Sequence, residues 1–326
     1  MTIIVDAFGG DNAPLEIIKG CALAVEEFGV NILLTGKEEI IRKTAEENNV
    51  SLNNIEIEDC SEVITMEDEP NSVLKTKKDS SMAVGFRMLN EGRGDAFISA
   101  GNSGALCVGA TLAVRRIKGI KRPAFAPVLP SESGFFMLLD GGANVECRPE
   151  MLYQFALMGS VYMEKVMKVS NPKVGLANVG TEDHKGTELY RDTYKLLRDS
   201  KLNFIGNVEG RDIPKGICDV VVCDGFAGNM ILKTYEGVAI TLMKKMKHMF
   251  TDSFKGKLAA GLVMKDLKEL KEKFNYNAYG GAPILGASKP VFKAHGDSKA
   301  VTLKNAIKLS MDYVAGKAID EITSAL

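Results

Sequence analysis

An apolar run, a loop rich in glycine, asparagine and aspartate, then an amphipathic helix: this unit recurs along the chain and leaves few folds open. Its first copy is a strand Ile3–Asp6, the loop Ala7-Phe8-Gly9-Gly10-Asp11-Asn12-Ala13-Pro14, and a helix Leu15–Phe28. Pro14 suits the opening of that helix, because its missing N–H would lack a helical partner anyway. A strand Asn31–Thr35, closed by Gly36, leads to a helix Glu38–Asn48, and a short strand Asn54–Glu58 follows. A longer helix Ser72–Asn90 precedes a strand Asp95–Ser99, whose loop Ala100-Gly101-Asn102-Ser103-Gly104-Ala105 opens a helix reaching Arg116. Strands alternating with helices predict an α/β fold with a largely parallel sheet, since parallel neighbours need a crossover.

The second half repeats the unit with variations. Two apolar segments, Ala124–Leu129 and Phe135–Leu139, are separated by only five residues, which predicts one antiparallel hairpin. The second ends in Asp140-Gly141-Gly142-Ala143-Asn144, ahead of a helix Glu150–Met167. The run Val174–Ala177 delivers Asn178-Val179-Gly180-Thr181-Glu182-Asp183-His184-Lys185-Gly186-Thr187, and strands Asn203–Val208 and Asp219–Cys223 follow. From Met230 a long helix runs to about Phe250, a tip follows, and a second helix ends near Phe274. Tyr279-Gly280-Gly281-Ala282-Pro283 reads as a glycine turn, and His295-Gly296-Asp297-Ser298 precedes a final amphipathic helix. With no fixed-period repeat and no low-complexity linker, a single domain over 1–326 with a helical hairpin projecting at about 230–274 is expected.

Hydrophobic residues at 45% and charged residues at 25% supply a large core and an ordinary polar surface. A formal charge of −1 gives no global field for nucleic acid. The six cysteines form no CxxC pair and sit mostly in apolar runs, as reduced thiols used for packing do. A strand-like Thr2–Val5 at the start and no run long enough to span a bilayer lead us to expect a cytoplasmic protein without a signal peptide.

Glycines at successive strand ends let backbone N–H groups approach a ligand, and the helix N-termini beyond them favour anions. Several such loops at one sheet edge suggest a site for phosphate or a carboxyl derivative. The loops carry no GxxxxGK[ST] and no GxGxxG spacing. In the loop after Ala177, Lys185 could neutralise an anion, or it could be a solvated charge while Glu182 and Asp183 complement the helix dipole. Three histidines, His184, His248 and His295, match no zinc signature, so no metal is expected. Cys147 beside Arg148 fits an inert thiol better than a nucleophile, because no histidine is paired with it in sequence. Two basic segments, Arg115-Arg116-Ile117-Lys118 with Lys121-Arg122 and Lys244-Lys245-Met246-Lys247, read either as solvated faces or as landing surfaces for an acidic partner.

In order along the whole chain, Asp6–Asp11, Ser99–Ala105, Gly142–Asn144, Asn178–Gly180 with Lys185-Gly186, Gly206–Asp212, Cys223–Asn229, Tyr279–Gly286 and His295-Gly296 form one pattern. It resembles the bacterial acyl-carrier-protein:phosphate acyltransferases, the PlsX family. Phe8, Ser103, Gly141, His184 and Asp297 depart from that family's usual residues, which weighs against His184 as a general base. The resemblance implies a homodimer with a three-layer α/β/α fold like the isopropylmalate dehydrogenases and phosphotransacetylases. It also implies transfer of a long acyl chain from the carrier protein's thioester to inorganic phosphate, without a cofactor, for phospholipid synthesis.

The loop residues suit that chemistry. Lys185 with the N–H groups of Gly101, Asn102, Ser103 and Gly104 and of Ala227, Gly228 and Asn229 could hold phosphate. Asn229 or Asn144 could donate to the thioester oxygen, with Asp11, Asp224 and Glu209 orienting the donors. Gly180 and His295 enter the site through the family pattern. Carrier proteins are acidic, so Arg115, Arg116, Lys118, Lys121 and Arg122 are the expected docking face. At the hairpin tip, Leu258, Ala259, Leu262 and Val263 flanked by lysines are expected to touch an anionic membrane peripherally, or else to pack at a dimer seam. Two rivals stand beside this reading: a nicotinamide-dependent dehydrogenase, for which no acidic ribose-binding residue is spaced convincingly, and a non-catalytic carrier-protein-binding module.

Overall fold

Each crossover unit of the first half forms, and each delivers its loop to the same edge. In the computed structural model, described over residues 1–253, 255, 259–261, 263–265, 268 and 280–326, the strands β1 (Thr2–Asp6), β2 (Asn31–Gly36), β3 (Ile55–Asp59) and β4 (Ala96–Ser99) run parallel. The helices between them are α1 (Leu15–Phe28), α2 (Glu38–Glu47), α3 (Ser72–Lys75) and α4 (Ser81–Glu91). One long helix over 72–90 was expected. It is two, because Ser80 turns its side-chain oxygen to the Ala83 N–H, 3.3 Å away, and starts a new helix there.

Two sheets share the strands. The first has the order β3-β2-β1-β4-β12-β11-β5, with β5 (Ala124–Phe125), β11 (Gly281–Leu285) and β12 (Val291–Ala294); β12 is parallel to β4. The second has the order β6-β7-β10-β8-β9, built from β6 (Val128–Ser131), β7 (Gly134–Leu139), β8 (Val174–Asn178), β9 (Phe204–Glu209) and β10 (Val220–Val222). The expected hairpin is the antiparallel β6–β7 pair. Its first apolar run is cut: Ala124–Phe125 pairs with β11 in one sheet, and Val128–Ser131 pairs with β7 in the other. Pro127 lies at the cut, where it has no N–H to offer a ladder. The glycine turn expected over 279–283 is in part strand, since β11 begins at Gly281, and β12 is a strand the sequence reading did not include. Strands of five and four residues broken by Gly286 are too short to show a period of two.

Alternation along each strand sorts its side chains between two helical layers. Ile3 and Val5 enter the core formed with α1 and with α9 (Ala300–Ala315), while Ile4 enters the core formed with α4 and α5 (Ser103–Leu112). In the second sheet, Val220 and Val222 pack with α6 (Pro149–Lys165), and Val221 packs with Leu232 of α8 (Gly225–Thr251). Each sheet is therefore the middle of three layers, as a parallel sheet buried on both faces requires. The first of these cores takes residues from both sheets and ties them together. Two further α-helices are α7 (Glu188–Arg198) and α10 (Ala318–Ala325). Helix α8 begins at Gly225, five residues before the predicted start, because Asp224 caps it through the Ala227 N–H at 2.9 Å. Leu258 and Leu262 of the tip, and most of the second helix toward Phe274, lie outside the described residues, whereas Ala259 and Val263 are helical.

Candidate active site

The carboxyl ends of β1, β4 and β12 are neighbours, and their loops interlock. The Ser99 hydroxyl donates to the buried Asp6 carboxylate at 2.7 Å and accepts from the Gly101 N–H at 3.0 Å. Burial pushes the Asp6 pKa up against the hydrogen bonds that pull it down. The Asp11 N–H donates to the Gly296 carbonyl at 2.8 Å, and Asn12 donates to the Asp297 carbonyl at 3.0 Å. Only glycine fits where these loops meet, since a Cβ on Gly9 would lie 2.6 Å from the Gly101 nitrogen.

From the second sheet comes the loop after β7, wrapped around one carboxylate. Buried Asp140 accepts from the N–H groups of Phe125 (2.9 Å), Gly142 (3.2 Å), Ala143 (3.1 Å) and Asn144 (2.6 Å). The N-terminus of α8 is pressed onto this loop: the Gly225 N–H donates to the Asn144 carbonyl at 2.7 Å, and a Cβ on Gly228 would meet the Asp140 carbonyl oxygen at 1.8 Å. Asp224, the cap of α8, also accepts from the Tyr190 hydroxyl at 2.7 Å. The outcome is that Asn229 is carried to a fixed place by a helix whose first turns cannot slide.

Between these loops lies a cavity of about 700 Å³. Leu106, Val108, Leu112, Phe125, Leu129 and Leu232 form an apolar wall. Asp11, Ser103, Gly104, Asn144, Asn229 and His295 line it as well, together with Lys233, Glu236 and Lys293. Six of the sequence-predicted residues thus share one space. Arg122 of the basic segment reaches the same cavity, and Arg115, Arg116, Lys118 and Lys121 are exposed on the surface.

The other predicted residues sit elsewhere. Lys185, Gly180 and Glu209 do not line the cavity. They leave from β8 and β9, and in the sheet order β10 stands between these strands and the cavity-lining end of β7. Lys185 Nζ is half-exposed, 4.0 Å from Glu182, and Glu209 pairs with Arg211 at 2.8 Å. Gly101 is packed against Gly9 behind the wall. Asn102 is buried: its oxygen caps α5 through the Ala105 N–H at 3.0 Å, and its nitrogen donates to the Thr65 and Asp68 carbonyls, each at 3.1 Å. It braces a loop. Asn144 spends both amide hydrogens on the Pro123 carbonyl at 2.8 Å and on Asp140 at 2.9 Å, so it has no N–H left for a thioester oxygen. No hydrogen bond engages the Asn229 side chain among the described residues, which leaves its amide available.

Sequence reasoning missed three charged residues on the wall: Lys233, Glu236 and Lys293. The first two fall one turn apart in α8, downstream of Asn229, and a helix spacing was the available signal. Lys233 pairs with Glu236 at 2.8 Å, and His295 lies between Glu236 at 3.6 Å and Asp297 at 2.6 Å. The Glu236 hydrogen bond raises the His295 pKa, against burial, and Asp297 adds to the rise. Burial together with the nearby Asp140 pushes Cys147 up to about 12, as expected of an inert thiol. Among the described residues no cluster of three or more His, Cys, Asp or Glu could hold a metal.

The model of the family described as "Fatty acid synthesis protein" matches residues 1–320. A phosphate acyltransferase of Clostridium tetani is 47% identical, over 100% of this chain and 98% of the relative. A second, from Thermoanaerobacterium thermosaccharolyticum, is 48% identical over 99% and 96%. The chain belongs to the phosphate acyltransferase family of fatty acid synthesis proteins. It is an acyltransferase. Among solved structures, a phosphotransacetylase from Streptococcus pyogenes superposes with a TM-score of 0.64 over 98% of this chain and 94% of that one, at 15% identity. A branched-chain phosphotransacylase from Enterococcus faecalis gives 0.59 over 96% and 99%, at 14% identity. These two likenesses establish the α/β fold for this phosphate acyltransferase family member, in agreement with the sequence expectation.

Proposed function

We propose that this acyltransferase moves a long acyl chain from an acyl-carrier-protein thioester to inorganic phosphate, releasing acyl phosphate for phospholipid synthesis. The single observation that carries the reading is the two-sided cavity. One wall is apolar and suits a hydrocarbon chain, and the N-terminus of α5, Asn229 and the cationic groups suit an anion. Phosphate is ionised near neutral pH, so it needs holding and orienting more than deprotonation. Its oxygen attacks the thioester carbon, the C–O bond forms, and the carbonyl electrons move onto oxygen. The Asn229 amide N–H is the free donor for that oxyanion, with Asp224 and Asp140 fixing its helix. When the oxyanion collapses the C–S bond breaks, and the thiolate leaves with its electron pair and takes a proton from solvent.

Arg115, Arg116, Lys118, Lys121 and Arg122 are exposed, and Arg122 also lines the cavity, which supports docking of an acidic carrier protein on this segment. Helix α8 exposes Phe226, Met230, Val238, Leu242 and Met249 at intervals of four, eight, four and seven residues, close to whole helical turns, an apolar stripe that supports a homodimer through the hairpin. No described helix is long and apolar enough to cross a membrane. Peripheral contact at the tip, by a protein working in the cytoplasm, rests on the apolar and basic pattern of 255–265. The deciding experiment follows thiol release from long-chain acyl-carrier protein with and without phosphate, and traps the product with hydroxylamine. Phosphate-dependent release with a trapped hydroxamate is expected. Equal release without phosphate refutes the reaction, and binding without turnover returns the carrier-binding module.

A further inference from the structure

Lys293 is the ionisable group on the cavity wall whose place is hardest to explain by packing. It sits at the end of β12, only 8% exposed, in a molecule whose other described lysines are more open to solvent. Lysine is rarely buried without a carboxylate partner. Here no carboxylate lies within 4 Å among the described residues. The ammonium instead donates to the Ala100 carbonyl at 2.9 Å and to the Ala294 carbonyl at 2.6 Å. Those two bonds use two of its three N–H groups and anchor it at the meeting point of the β4 and β12 ends. The residue lines the cavity together with Ser103 and Gly104, at the N-terminus of α5, and with Asn229. A buried cation with one donor left, facing a cavity beside a helix N-terminus, is a site built for an anion.

We propose that Lys293 is the cation that holds the phosphate in this site, donating its third N–H to a phosphate oxygen while Ala100 and Ala294 fix its aim. The proposal rests on the reaction stated above and gives that reaction its anion-binding residue. The charged neighbours fit the role. Burial lowers the Lys293 pKa to about 8; Asp6 from β1 and Asp11 from the loop after it favour the charged form, and Lys233 from α8 opposes it. The Cys107 thiol of α5 is pushed up to about 12 by burial and stays neutral. A bound anion relieves the buried charge, so phosphate and the protonated lysine stabilise each other.

The test measures inorganic phosphate binding by equilibrium dialysis, without any acyl donor, and then the two Michaelis constants. Lys293→Met is expected to weaken phosphate binding at least tenfold and to raise the KM for phosphate, leaving the KM for the acyl donor within about twofold. In the wild type, affinity should fall as pH rises past about 8, because the lysine then loses its proton while phosphate is already dianionic. That second measurement decides the matter if Lys293→Met does not fold. Wild-type phosphate affinity in Lys293→Met, an affinity flat from pH 7 to 9.5, or no phosphate binding by the wild type overturns the inference. A wild type that binds phosphate but never transfers an acyl group to it refutes the reaction and leaves the Lys293 result readable.

Discussion

Gly228→Ala probes the contact that aims Asn229. The added Cβ would stand 1.8 Å from the Asp140 carbonyl oxygen and 2.9 Å from its carbon, both backbone atoms with no side-chain freedom to give way. Carbon and carbonyl oxygen rest about 3.3 Å apart, so α8 and the loop after β7 must separate by about 1.5 Å. Overpacking of this severity costs about 3 kcal/mol, and alanine returns about 1 kcal/mol of helix propensity. The net loss of about 2 kcal/mol lowers Tm by about 3 °C for a chain of this size. A displacement beyond 1 Å at a reacting group costs about a hundredfold in turnover, well beyond what the stability loss removes. Gly237, in the same helix, has nothing within 4 Å of its would-be Cβ, so Gly237→Ala should stabilise by about 0.5–1 kcal/mol. Calorimetry and phosphate-dependent thiol release on both variants make the comparison. A Gly228→Ala protein that melts with the wild type and turns over normally would show that this seam does not position Asn229.

Asn229→Ala should keep its Tm and lose about a hundredfold or more in kcat, as removal of an oxyanion donor does; a normal kcat returns Asn229 to the surface. Asp140→Ala strands five donor groups around a buried site and should cost about 3 kcal/mol or more by denaturant unfolding, with a wild-type midpoint as the refuting result. The raised His295 pKa makes its pairing with Glu236 and Asp297 fully stabilising below 6.5, its ordinary value, and the contribution is lost as pH climbs through the higher folded-state value. Tm of the wild type should therefore fall more steeply between pH 6 and 8 than that of His295→Gln, and parallel profiles would refute the linkage. Reversing Lys118 and Lys121 to glutamate should raise the KM for acyl-carrier protein more than for a small thioester, most of all at low salt. Liposome flotation of the wild type against Leu258→Glu and Leu262→Glu tests the tip, and equal flotation removes it as a membrane contact.

The alternation of apolar runs and amphipathic helices determined the α/β layering, because side-chain period is a local property that survives in the sequence. It also placed Asp11, Ser103, Gly104, Asn144, Asn229 and His295 just beyond strand ends, on loops or in the helix turns they open into, where parallel strands gather them. What it could not carry was the lateral order of the strands. That order depends on which hydrogen-bonding edges meet across dozens of residues. Only tertiary pairing puts β12 beside β4, so that Lys293 comes to Ala100 across 193 positions of sequence. The same pairing seats β8 and β9 on the far side of β10, so Lys185 and Glu209, in loops with the same vocabulary as the others, do not reach the cavity wall. Hydrogen-bond satisfaction made the last distinction. Asn144 on the loop after β7 and Asn229 in the first turns of α8 are the same residue type, but the carboxylate of Asp140 and the carbonyl of Pro123 claim one amide and leave the other free.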